Sequence, residues 1–243
     1  IKSRAMIQRR GFLFMMRFDV ITIFPEAFSY LNESILKRAQ QKGLIEIKIH
    51  NLRDFSSDRH RKVDDKPYGG GPGMVIQIEP LIKAVRFVTK SHKLKTKSLV
   101  VLFTPAGKQL NNKIAANLAK NYKNLILICG HYEGIDERVV KIIQNSKFKI
   151  QNLSIGPYTL TGGELPAMIL IDAVCRRLAG VLGKEKSLEE KRLGLGVPVY
   201  TRPEVFVWSP PGRGKKKKEY RVPKVLLSGN HLKITQWRIK HRK

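Results

Sequence analysis

Between Leu99 and Cys129 the chain runs an apolar stretch, LVVLF, then a helical pattern, KQLNNKIAANLAK, then a second apolar stretch, LILIC. Strand, helix-length crossover and strand is the spacing of parallel pairing, since antiparallel neighbours can be joined by a two-residue turn and parallel ones cannot. The expected fold class is therefore α/β with a mostly parallel sheet. MRFDVITIF, residues 16–24, reads as another buried strand, and Pro25 opens a helix, PEAFSYLNESILKRAQQKG, that Gly43 closes from the C′ position. LIEIKIH alternates as a strand, and Glu79 to Lys90 reads as a helix with Pro80 near its start. No segment repeats with a period of about 20 to 50 residues, which excludes a solenoid. The 243 residues suffice for one large domain, or one domain and an appendage.

Three apolar strands empty into polar turns: FTPAGK (Phe103 to Lys108), GHYEGIDERV after LILIC, and IGPYTLTGGELP (Ile155 to Pro166) ahead of the apolar helix AMILIDAVCRRLAGVLG. In open α/β sheets ligands collect at the carboxyl ends of strands. In the third loop Gly156, Gly162 and Gly163 permit close backbone approach, Pro157 and Pro166 stiffen its ends, and Thr159 and Thr161 offer hydroxyls. Alone, such a loop reads equally well as a long surface turn; three of them can converge on one small molecule. A fourth polar segment, NLRDFSSDRHRKVDDKPYGGGPGM, ends in glycines. A P-loop needs Gly-Lys-Ser/Thr after such glycines, whereas Met74 and Val75 follow here, so nucleoside triphosphate hydrolysis is disfavoured. The loop's amides remain suited to a base or a phosphate.

Charge supplies a partner class. Lys and Arg number 47 against 19 Asp and Glu, a formal +28, which points to a polyanion, usually nucleic acid. From Val205 to Lys243 there are 12 basic residues and a single acid, Glu219. Upstream of that tail, KEKSLEEKRLGLG reads as a mobile charged loop and VPVYTRPEVFVW as an extended, proline-interrupted segment; near the end, Ser228 to Asn230 cap a final short helix. No apolar run reaches the length of a membrane span. The N-terminal IKSRAMIQRRGFLFMM lacks a small-residue cleavage site and reads as an extension upstream of Met15 or Met16. Cys129 and Cys175 fall inside apolar patterns, as buried free thiols of a reducing, cytoplasmic compartment would, and no Cys/His spacing suggests zinc.

Taken together, GGGPGM, CGHYEGIDERV, IGPYTLTGGELPAM, YTRPE and VPKVLLSGNH, in this order, resemble the bacterial tRNA (guanine-N1)-methyltransferase family of the SPOUT superfamily from about Met16 onward. The resemblance implies S-adenosylmethionine bound in a deep trefoil knot, an obligate homodimer with sites at the subunit interface, and methylation of N1 of guanosine 37 of tRNA. It sets the methyl donor against Leu102, Phe103, Thr104 and Pro105, against Gly130, Tyr132, Glu133 and Gly134, and against Ile155, Gly156, Pro157, Tyr158, Thr159, Leu160, Gly162, Gly163 and Pro166. It matches Arg176 to the arginine that holds the target guanine, although Arg177 beside it is an equal candidate for a surface cation. It matches Asp64 with Gly69, Gly70, Gly71, Pro72 and Gly73 to the loop that helps enclose the nucleotide. It implies a part for magnesium. It divides the chain into an extension (1–15), a knotted methyltransferase domain (16–183), an interface loop (184–204) and a basic segment (205–243) near where the family's helical tRNA-binding domain begins.

The chemistry asks for little more. N1 of guanine must lose a proton before it attacks, so a carboxylate accepts it or a cation stabilises the charge developing on O6. The family pattern places an aspartate followed by serine in the loop after the knot helix, whereas this chain reads KSLEEKRLGLGVP there and has no aspartate after Asp172. Glu190, Glu189 and Glu133 are the carboxylates that can take its place. Two other readings compete: a SPOUT methyltransferase acting on ribosomal RNA, and an RNA-binding relative without catalysis.

Overall fold

A computed structural model of the protein describes residues 16–91, 97–146, 148–182, 196–209 and 216–242. The chain divides into two units, 1–183 and 184–243. The first is built on five strands, β1 (Met16–Thr22), β2 (Ile45–Asn51), β5 (Ser98–Gln109), β6 (Asn124–Ile128) and β7 (Lys149–Ser154), in the order β2-β1-β6-β5-β7 with every pairing parallel. A separate two-residue ladder joins β3 (Asp64–Asp65) to β4 (Val75–Ile76).

Helices cover both faces of the sheet, which is why its central strands are apolar on both sides rather than on one. Phe18 and Val20 of β1, Val101 of β5 and Leu127 of β6 enter one layer with Leu36 of α1 (Ser34–Gln41), Leu118 of α3 (Asn112–Asn121) and Leu170 of α5 (Glu164–Cys175). Their neighbours Ile21, Val100 and Ile126 enter the other with Leu81 of α2 (Ile78–Ser91) and Val139 of α4 (Arg138–Gln144). The period of two along each strand sorts the layers.

Three elements differ from the sequence expectation. The helix expected from Pro25 is broken: a 3-10 helix, Pro25–Asn32, stops at the extended Glu33, and α1 begins at Ser34, whose φ is 48°. Asn32 and Ser34 compete with helical backbone bonds, which favours a break between them. Gly43 does end α1, with φ 67° and the Leu44 amide donating to the Ala39 carbonyl at 3.0 Å. FTPAGK is not a free turn after a short strand. Phe103 faces Leu153 of β7, Lys108 faces the same Leu153, and residues 104–107 bulge out between two stretches of one long β5. The helix expected to start at Lys108 accordingly starts at Asn112, capped by Asn111, whose side chain accepts the Ile114 amide at 3.0 Å. Finally, α5 ends at Cys175 and gives way to turns, short of the expected run to Gly183.

The second unit holds an antiparallel hairpin, β8 (Val205–Trp208) with β9 (Lys218–Arg221), then α6 (Lys224–Leu227) and α7 (His231–Lys240). Asn230 caps α7 as expected, accepting the Lys233 amide at 3.0 Å. No described residue of this unit is buried. Among the described residues no helix is long and apolar enough to cross a membrane.

Candidate functional site

The carboxyl ends of β5, β6 and β7 open into a cavity of about 400 Å³. Every residue expected against a methyl donor lines it except Gly156 and Pro157. The bulge after β5 contributes Thr104 and Pro105 above an apolar floor of Leu102, Phe103 and Leu153. The turn after β6 contributes Gly130 to Gly134, and the loop after β7 contributes Ile155, Tyr158 to Gly163 and Pro166. Gly156 acts from behind the wall: a Cβ there would lie 2.2 Å from a Tyr158 ring carbon, so its bareness lets that ring lie down. Gly163 donates to the Gly130 carbonyl at 2.8 Å, and a Cβ on it would lie 2.6 Å from the Cys129 Cα. Only glycine lets the β6 and β7 loops close to that distance.

Thr161, noted for its hydroxyl, also lines the cavity, and five lining residues were not singled out from the sequence: His131, Ile135, Glu137, Leu153 and Ser154. His131 has a neighbour that explains it. Glu164, at the start of α5, is 8% exposed; one carboxylate oxygen accepts the Thr22 hydroxyl at 2.8 Å, and the other lies 4.0 Å from His131 Nδ1. That Nδ1 is shielded from solvent and has no hydrogen-bond partner. The imidazole is held edge-on between Phe24 at 5.1 Å and Tyr132 at 4.8 Å. An acid at the head of a largely apolar helix was the available signal, since a buried carboxylate requires partners. Burial pushes the Cys129 thiol well above its ordinary range, and the nearby Glu164 carboxylate adds to that. The Cys175 thiol is likewise raised by burial, then by Asp172, so both sulfurs are inert neutral thiols.

The glycine-rich loop is tied to this cavity. Glu133 donates its amide to the Met74 carbonyl at 3.1 Å, Ile76 donates to the Gly134 carbonyl at 3.0 Å, and Asp136 donates to the Ile76 carbonyl at 3.0 Å. Gly69, Gly70, Gly71 and Gly73 all have positive φ, and the Glu133 side chain lies against Gly73, where a Cβ would sit 2.4 Å from its oxygen. Asp64 heads the short strand opposite Ile76, at the root of the same loop. Glu133 thus stands between the cavity and the exposed glycines.

Arg176 lies elsewhere. Arg176 caps α5 at the end away from Pro166, ten residues on and roughly 15 Å along the axis, exposed and not on the cavity wall. Arg177 instead donates to the Asn112 side chain at 2.6 Å. Glu189 and Glu190 lie outside the described residues.

Comparison with known proteins places this arrangement. The model of the family described as tRNA (guanine-1)-methyltransferase TrmD matches residues 16–243. A tRNA (guanine-N(1)-)-methyltransferase of Dictyoglomus turgidum is 50% identical over 230 residues, covering 93% of this chain and 84% of that protein. Proteins of the same description from Clostridioides difficile and Thermomicrobium roseum are 46% and 49% identical, covering 92% of this chain in each case and 90% and 77% of their own lengths. With the family model spanning nearly all of the chain and the motif loops meeting in one cavity, the chain belongs to the tRNA (guanine-1)-methyltransferase family.

Proposed function

We propose that the protein transfers a methyl group from S-adenosylmethionine to N1 of guanosine 37 in tRNA, with the donor in the cavity at the ends of β5, β6 and β7. The observation that carries this reading is the convergence of three motif loops on one cavity of about 400 Å³ in a chain of this family. The donor, when bound, supplies an electrophilic methyl group that needs alignment rather than activation. The cavity suits it chemically, with an apolar floor at Leu102, Phe103 and Leu153, backbone groups of the two glycine turns, and the carboxylates Glu133 and Glu137 for a cationic ligand. Magnesium, by contrast, finds no group of three His, Cys, Asp or Glu side chains among the described residues.

Glu133 is the carboxylate that the described residues bring both to the cavity and to the Gly69 to Gly73 loop, which favours it as the group that accepts the N1 proton. Glu189 and Glu190 remain candidates from their loop. Arg176 stabilises charge on guanine O6 in this scheme, and it does so in a second copy of the chain. Leu165, Ile169, Asp172 and Arg176 share one face of α5, where Leu165 and Ile169 are exposed apolar residues beside the exposed Tyr158 and Leu160. Two such faces paired about a twofold axis bring each Arg176 to the cavity end of the partner's helix. A deep trefoil knot belongs to the same proposal, with residues 104–107 bulging between two stretches of β5 that both reach Leu153 of β7.

The test is transfer of labelled methyl from S-adenosylmethionine to unmodified tRNA transcripts with guanosine or adenosine at position 37. Label as 1-methylguanosine on the first transcript alone supports the reading; no label despite intact donor binding would sink it in favour of an RNA-binding relative, and label appearing instead on ribosomal RNA would reassign the substrate. Mixing Arg176→Ala with Glu133→Gln should restore part of the activity that each lacks alone. If the mixture stayed as inactive as its components, the shared site would be wrong.

A further inference from the structure

The second unit carries a surface that methyl transfer in the cavity does not use. In the hairpin β8–β9, Phe206 faces Tyr220 and Trp208 faces Lys218, and residues two apart on a strand share a face, so these four side chains stand together. Phe206, Trp208 and Tyr220 are 52%, 47% and 50% exposed. The Phe206 and Trp208 rings are nearly parallel, 27° apart in plane with centroids 6.5 Å apart, and the Lys218 ammonium stands 5.3 Å from the centre of the Tyr220 ring. On the opposite face Arg221 donates to Glu219 at 2.5 Å, so the one acid of this segment is already paired. Lys216 and Lys217, both exposed, lead into β9.

Three half-exposed aromatic rings on a two-stranded ribbon are unfavourable in water, and such a ribbon is marginal without something packed on it. Charge decides what that is. With 12 basic residues and one acid between Val205 and Lys243, the occupant is a polyanion, and the near-parallel rings call for flat aromatic faces of its own. RNA with unpaired bases meets both demands, because every base has a face to stack and a phosphate beside it.

We propose that Phe206, Trp208 and Tyr220 form a stacking platform for unpaired bases of the substrate RNA, with Lys216, Lys217 and Lys218 on the adjoining phosphates. The proposal rests on the tRNA methyltransferase reading and adds to it a base-stacking surface independent of the donor cavity.

The experiment measures affinity of the full chain, by fluorescence anisotropy across a salt series, for an anticodon-arm RNA with its unpaired loop and for a fully paired RNA of equal length. Phe206→Ala with Trp208→Ala should weaken binding of the looped RNA about 10-fold or more, leave the paired RNA unchanged and leave the slope of log affinity against log salt unchanged. Trp208→Phe should retain most of the affinity, since a phenyl ring still stacks. Lys216→Gln with Lys217→Gln should instead weaken both RNAs alike and reduce the salt slope by about 1 to 2. In Trp237→Phe, Trp208 is the one tryptophan left of the chain's 2, and looped RNA should quench its emission. Wild-type affinity in the double alanine variant overturns the platform. So does equal loss on both RNAs without rescue by Trp208→Phe, which would mark the rings as packing residues. Trp208 quenching by anionic phosphatidylserine vesicles but not by RNA overturns it in favour of a membrane surface. If the double alanine variant behaves as wild type while the wild type methylates the guanosine transcript, only the platform falls; a wild type that neither binds RNA nor transfers methyl removes the underlying reading as well.

Discussion

Two buried polar clusters hang from β1 on opposite faces of the sheet, and they are finished differently. On the α2 side, Asp19 is fully buried and accepts two bonds from the Arg17 guanidinium, at 2.7 and 2.8 Å, and one from His50 at 2.7 Å; Arg17 also reaches Glu46 at 2.6 Å. On the α5 side, Glu164 accepts one bond from Thr22, while His131 stands 4.0 Å from it with Nδ1 unsatisfied at the cavity wall. The first cluster is closed: each charge has its counter-charge and its hydrogen bonds, and nothing of it faces a ligand. The second is left open by one bond: His131 lines the cavity while its Nδ1, turned to Glu164, stays without a partner. Buried polar groups left incomplete in a native fold call for an explanation, and here the incomplete pair sits directly behind a wall that His131 and Gly162 themselves line.

The largest expected effect comes from breaking the closed cluster. Asp19→Ala leaves Arg17 buried without its main partner and should cost about 3–5 kcal/mol in urea unfolding, with donor affinity of the folded fraction unchanged. The same cluster sets an acid limit. Burial alone would raise the Asp19 pKa, but hydrogen bonds from Arg17 and His50 outweigh it and hold the carboxyl below its ordinary value. A depressed carboxylate contributes stability that is complete above its unfolded pKa of about 4 and disappears as pH falls through the lower folded value. Unfolding followed below about pH 4 should therefore show an acid-dependent loss that Asp19→Asn removes.

Smaller effects should follow at the cavity. Gly163→Ala forces a methyl group to 2.6 Å from backbone that cannot yield cheaply, for about 1–3 kcal/mol, and by parting the β6 and β7 loops it should also weaken donor binding measured by calorimetry. Thr22→Val takes from the buried Glu164 carboxylate the hydroxyl that donates to it, for about 1–3 kcal/mol, and donor affinity should fall with it because the His131 pair loses its anchor. The smallest stability change belongs to His131→Ala, about 1 kcal/mol or less, since its Nδ1 makes no bond to lose; donor affinity should nonetheless drop. Equal stability losses for Asp19→Ala and His131→Ala would erase the distinction between a closed cluster and an open one.

Much of this was readable along the chain. MRFDVITIF and LILIC were legible as apolar strands, but which layer takes Phe18 with Leu127 and which takes Ile21 with Ile126 was set by the register of β1 on β6. The loops at Thr104, Gly130 and Ile155 were visible as polar, glycine-bearing text at strand ends, and the same text carried the family resemblance. The break at Glu33 and the early end of α5 were not legible, since local propensity sets element ends only weakly.

What the amino-acid sequence determined by itself is what depends on near neighbours: the apolar strands, the Gly43 and Asn230 caps, and the three loops that would bear a ligand. What the tertiary structure alone decided depends on residues far apart in the chain. Glu164 finds Thr22 142 positions away, Lys108 returns to the same Leu153 that Phe103 faces, and Gly73 meets the Glu133 side chain across 60 residues of chain. No periodicity of two or 3.6 residues records such meetings; they follow from the order in which parallel strands stack, which brings distant segments to one edge of the sheet.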